Sequence, residues 1–68
     1  MEMRYWGQKI RDYIVYETNL VPENVDIQRH QVVLQFKKAD LKRTNLDTET
    51  IARKVQPMIP RKVVVEAV

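Results

Sequence analysis

The apolar positions of Asn24–Lys38, NVDIQRHQVVLQFKK, change phase halfway along. Val25 and Ile27 are apolar at odd positions, whereas Val32, Leu34 and Phe36 are apolar at even ones. A single strand alternates its side chains with period two and cannot keep one buried face through that switch. A turn between Arg29 and Val32 removes the conflict and predicts a β-hairpin. An even loop of two or four residues sets Ile27 opposite Leu34 and Val25 opposite Phe36. Asp26 then meets Gln35, and Asn24 meets Lys37, on the reverse side. The Val25/Ile27/Leu34/Phe36 face calls for a helix to cover it.

Upstream the period is helical. Met3, Trp6, Ile10, Tyr13 and Ile14 recur along one face, predicting a helix over Met3–Thr18. Gly7 costs this helix about 1 kcal/mol relative to Ala unless something approaches it closely. Asn19 is suited to cap the C-terminus, and Pro22 forces Val21 out of helical dihedrals. Tyr5 and Tyr16 fall outside the main stripe, with Val15 beside Tyr16. Their rings either pack at the rim of the core with wet hydroxyls or form a second contact face for a partner.

Downstream of the hairpin, residues 37–47 read KKADLKRTNLD, the composition of a mobile, solvated connection. Asp47 is a good N-cap for a second helix, and Leu46 and Ile51 hold the two positions of a hydrophobic staple. Ile51, Ala52 and Val55 form its stripe. Glu49 in the first turn and Arg53 and Lys54 in the last suit the helix dipole. Pro57 lacks an N–H, so helix should stop near Gln56, with Met58 and Ile59 closing the core. Residues 61–68, RKVVVEAV, read as a strand. Val63, Val65 and Ala67 share one face of it, and Val64 and Val68 share the other with Lys62 and Glu66.

The expected order is α-β-β-α-β. A right-handed crossover through the second helix makes the last strand parallel to the second. Residues 1–68 are thus expected to form one α+β domain, a two-layer sandwich with a three-stranded mixed sheet and both helices on one face. The terminal strand can join either neighbour. This order of elements resembles that of BON domains, ring-building modules of secretion systems and type II KH-like domains. The Gly-x-x-Gly loop of KH domains is missing, since Gly7 is the sole glycine, as are the glycines of BON-like hairpins. No family residue maps onto the chain.

A chain of 68 residues buries only about 60% of its unfolded surface, and it has no Cys to staple it. Self-association or docking is one remedy for so thin a core. Glu2 and Arg4 interrupt any leader-like apolar run at the start, and no stretch approaches the ~20 apolar residues of a membrane span. A soluble, cytoplasmic protein without membrane contact is expected.

Charge is unevenly placed. Residues 1–28 carry three basic and five acidic residues, and residues 29–68 carry nine and four. Lys37, Lys38, Lys42, Arg43, Arg53, Lys54, Arg61 and Lys62 are the candidate anion- or nucleic-acid-binding residues. In the two-layer topology they fall into two groups at opposite ends of the sheet, and no aromatics are interleaved with them to stack on bases. Catalytic material is sparse. Ser and Cys are absent, and His30, the one histidine, falls at the expected hairpin tip. Neither an enzyme nor a cofactor or metal site is expected.

The residues point instead to a binding or assembly module that contacts a protein partner or its own copy. Tyr5, Tyr16, Val64 and Val68 are the candidate contact residues. If the valine-rich last strand forms a sheet edge, only Lys62 and Glu66 guard it against pairing with another chain. The alternative is a small basic nucleic-acid-binding accessory protein with weak affinity.

Overall fold

The hairpin forms, and its register differs from the expected one by two residues. The computed structural model describes residues 3–68, with side chains from Gly7 onward. Asn24–Ile27 (β1) pairs antiparallel with Gln31–Phe36 (β2), setting Ile27 against Val32 and Val25 against Leu34. Asp26 lies opposite Val33 and Asn24 opposite Gln35, so the expected pairings with Gln35 and Lys37 are not made. The loop is even, as parity requires, but its two residues are Arg29 and His30. Gln28 N–H donates to Gln31 O at 2.8 Å to close it. A slip of two keeps every side chain on its face. Val25, Ile27, Val32, Leu34 and Phe36 therefore still share the core side.

The last strand, Lys62–Ala67 (β3), runs parallel to β2 with Val32 beside Val63 and Leu34 beside Val65. The sheet order is β1-β2-β3, so β3 is an edge. Val32, Leu34 and Phe36 are essentially inaccessible to solvent. They meet Ile10 and Ile14 of the first helix, Met3–Thr18 (α1), and Ile51 and Val55 of the helix Thr48–Val55 (α3), in one cluster. Leu20, Leu41, Ile59 and Val63 complete it. The helices thus cover one face of a three-stranded mixed sheet in a two-layer α+β fold.

Residues 38–44 are a helix (α2, Lys38–Thr44) and not the mobile loop that their charge suggests. Leu41 is the reason: it is buried in the core, and the short helix around it leaves the lysines outward. Asn45 then ends the helix in the left-handed conformation at φ 58°. Leu46 N–H donates to Leu41 O and Asn45 N–H to Lys42 O, a Schellman closure. Asn19, at φ 60°, ends α1 through its N–H to Val15 O, as expected. Thr18 Oγ1, buried beside it, donates to Ile14 O at 2.7 Å.

Asp47 caps α3 as expected, its Oδ1 accepting from Thr50 N–H at 2.7 Å. Regular helix stops at Val55 and one 3-10 turn, Gln56–Met58, carries the chain past Pro57. Ile59 is buried, but Met58 faces out, so only one of the two residues expected to close the core does so.

At Gly7 a methyl group would meet the Ile27 side chain at 4.0 Å, ordinary contact distance. No close approach reserves this site for glycine. Gly7→Ala should therefore raise stability by up to about 1 kcal/mol, whereas Leu34→Ala should lower it by about 3 kcal/mol. Urea midpoints read both, and a less stable Gly7→Ala chain would contradict the placement of α1 on β1.

Candidate functional site

The placement of β3 at the sheet edge decides what the chain can offer another molecule. Within a strand, successive residues direct their backbone groups to opposite sides. Val68 N–H donates to Phe36 O at 2.8 Å and Val68 O accepts from Lys38 N–H at 2.9 Å, so even-numbered residues of this strand face β2. Val63, Val65 and Ala67 accordingly turn their N–H and C=O groups away from the sheet. Among the described residues no fourth strand lies beyond them.

The start of that edge is occupied by a side chain. Gln56 Nε2 donates to Arg61 O at 2.8 Å and to Ile59 O at 3.2 Å, and its Oε1 accepts from Val63 N–H at 3.0 Å. The residue is an exposed glutamine in the 3-10 turn, and no spacing rule in the sequence singles it out.

The face of the sheet away from the helices is open. It carries Asn24, Asp26, Gln31, Val33, Gln35, Lys62, Val64 and Glu66 in cross-strand rows. Gln35 Nε2 donates to Glu66 Oε1 at 3.1 Å, and Gln31, Gln28 and Asp26 form a side-chain chain near the turn. Val33 and Val64 are neighbours in the middle row, each half-buried.

The contact residues expected from the sequence are scattered. Tyr16 projects from α1 with 84% of its surface exposed, and Val68 is half exposed beside the start of α2. Val64 lies on the open face, away from α1. The Tyr5 side chain, like those of Met3 and Trp6, lies outside the described residues. Tyr13 behaves differently from Tyr16. Its hydroxyl donates to Glu17 Oε1 at 3.2 Å, and burial beside the core, reinforced by that carboxylate, pushes the phenol pKa up. Val21 is a further exposed apolar residue that periodicity does not mark.

The basic residues divide as the topology requires. Lys37 and Lys38 follow the C-terminal end of β2, with Lys42 and Arg43 on α2. Lys62 lies opposite Gln31 at the other end of β2. Arg61 Nη1 donates to Gln28 O at 3.0 Å, fixing it beside the hairpin turn that bears Arg29 and exposed His30. Arg53 and Lys54 lie in the last turn of α3. Several cations already have acidic partners. Lys37 is 3.6 Å from Glu23, Arg43 is 3.2 Å from Asp40, and Arg53 is 3.9 Å from Glu49.

Among the described residues no group of three or more His, Cys, Asp or Glu side chains is placed to hold a metal ion. Nor is any described helix long and apolar enough to cross a membrane. Comparison with protein-family models, with curated proteins and with solved structures returned no match, so the chain's own residues carry the functional reading.

Asp47 anchors the helix that leads into Gln56. The hydrogen bonds it accepts from Thr50 hold its carboxyl below the ordinary carboxylate range. A depressed folded pKa means that its stabilising effect is complete above the unfolded value of about 4. The effect drains away as the pH falls through the folded value. Asp47→Asn retains a capping oxygen but no charge. The stability advantage of the parent over this variant should shrink between about pH 6 and about pH 2. Urea midpoints that differ equally at both ends would show that the charge plays no part.

Proposed function

We propose that the chain is a non-catalytic assembly module of the cytoplasm. It works through protein–protein contact, by offering the outer edge of β3 to a strand of another chain, and self-association is the simplest form of that contact. One observation carries this reading: Val65 and Ala67 direct their backbone groups away from β2, at an edge with no further strand among the described residues. Folded proteins usually cover, bulge or charge such an edge. This one is built of Val63, Val64 and Val65, residues suited to pairing. Main-chain bonds from an added strand supply affinity, and side chains on the two faces supply selectivity.

Two further features fit. Tyr16 offers a second apolar contact on α1, well exposed. The lysines at the start of α2 lie near the end of β3, since Lys38 N–H reaches Val68 O. They would steer an acidic approach more than hold it. A small basic nucleic-acid-binding role is the competing reading. The ion pairs of Lys37, Arg43 and Arg53 and the division of the cations into two groups speak against a continuous phosphate track.

Light scattering over a dilution series tests the proposal. The mass should exceed 8.1 kDa at high concentration and fall towards it on dilution. Val65→Pro removes an N–H that faces away from β2 and leaves the β2 ladder intact. This variant should stay folded by circular dichroism and remain at the lower mass. A parent chain of 8.1 kDa at every concentration would overturn the proposal. Salt-sensitive retention on a polyanion would then favour the competing reading.

A further inference from the structure

The Gln56 carboxamide does more at the β3 edge than satisfy itself. Arg61 O and Val63 N–H, which it engages at 2.8 and 3.0 Å, are the two groups that one residue of an added parallel strand would engage. A side-chain amide presents the same donor and acceptor as a peptide unit. Gln56 therefore fills one partner position on the edge. With it in place, the outward N–H groups left for another chain are those of Val65 and Ala67.

The occupant that fits the outer edge of β3 is a second β3. Three antiparallel registers pair at least two of the outward-facing Val63, Val65 and Ala67 with the same set in the second copy. If only Val65 and Ala67 pair, each with the other in the second copy, Glu66 lies directly opposite Glu66, and facing like charges are destabilising. If Val65 lies opposite Val65, Lys62 meets Val68 and Val64 meets Glu66, and no charges are matched. If Val63 lies opposite Val65, the twofold axis passes through Val64. Lys62 then faces Glu66 of the second copy on both sides of the axis, and Val64 faces Val64. These are the pairs without main-chain bonds between them, whose side chains approach most closely.

This third register also extends the rows already present on the open face. Val33 and Val64 continue into the same two valines of the second copy. Gln35 and Glu66 continue into Lys62 and Gln31. The half-buried valines of an otherwise polar face thereby gain cover. The register needs the Val63 N–H, which Gln56 holds in the single chain.

We propose that β3 pairs antiparallel with β3 of a second copy about a twofold axis at Val64. The Gln56 carboxamide is the latch that must release Val63 before this pairing occurs. The inference rests on the edge-pairing reading above and adds its partner, its register and its control.

Charge exchange tests the register. Sedimentation equilibrium compares the parent with Lys62→Glu, Glu66→Lys, the double exchange and Gln56→Ala, each checked for folding by circular dichroism. Either single exchange should raise the dimer dissociation constant about tenfold or more. The double exchange should return it to within about threefold of the parent. Glu66→Lys also breaks the hydrogen bond from Gln35, and the double exchange does not restore that bond, so recovery reports the pairing between copies. Gln56→Ala should tighten the dimer about fivefold by freeing the edge.

A parent that dimerises while all three charge variants dimerise equally well overturns the register and leaves the edge-pairing reading standing. A Gln56→Ala chain that dimerises more weakly overturns the latch. A parent that never dimerises removes the inference together with the reading beneath it.

Discussion

The structure depends on the complete burial of one side of β2. Val32, Leu34 and Phe36 are at most 1% exposed, and α1, α2, α3, β1 and β3 each place at least one apolar residue in or against their cluster. Among the described residues β2 is the one strand paired on both sides, antiparallel to β1 and parallel to β3. Its alternation leaves no choice about where helices can go. The even-numbered side chains exclude water only if α1 and α3 lie over them. The odd-numbered ones, Gln31, Val33 and Gln35, accept a half-wet face. Ile10 and Ile14 from one helix and Ile51 and Val55 from the other meet that demand.

A three-stranded sheet covered on one side has two edges and an open face. Both properties follow from placing the core on one strand. The crossover from β2 to β3 consumes α2, α3 and the 3-10 turn, which return the chain to the start of β2. The same crossover brings Gln56 to the start of the edge it guards and Arg61 to the hairpin turn. Local structure made for closing a crossover thus also controls access to the edge. Asp47 contributes at a distance, because its cap sets where α3 starts and hence where the 3-10 turn falls.

Much of this was legible in the chain. The phase switch between Ile27 and Val32 identifies a hairpin and its buried face, because face depends only on parity. The register does not follow from parity, and Arg29–His30 forms the loop where turns one or two residues later satisfy the same alternation. Asp47, Asn19 and Pro57 mark helix ends because each acts through its own backbone or its immediate neighbours. Residues 38–44 misled because composition outweighed the single apolar residue that matters. Leu41, with Leu46 five positions on and Asn45 between, is the signature of a helix closed by a Schellman turn. The edge position of β3 was open because valines in a row fit a central or an outer strand equally well. Gln56 was not legible at all. Its bonds to Ile59, Arg61 and Val63 depend on how the turn after Pro57 folds back, and an exposed glutamine carries no mark of that.

The most direct test of the account is amide hydrogen exchange, residue by residue, on a dilute sample. If β2 is central and β3 is an edge, the amides of residues 32–36 should exchange slowest. Along β3, Val64, Glu66 and Val68 should be protected while Val65 and Ala67 exchange quickly, and Val63 should be held back by Gln56. Uniform protection from Val63 to Val68 at a dilution where the mass is that of a single chain, 8.1 kDa, would mean that the outer edge is covered from within the chain, and β3 would not be the free edge described.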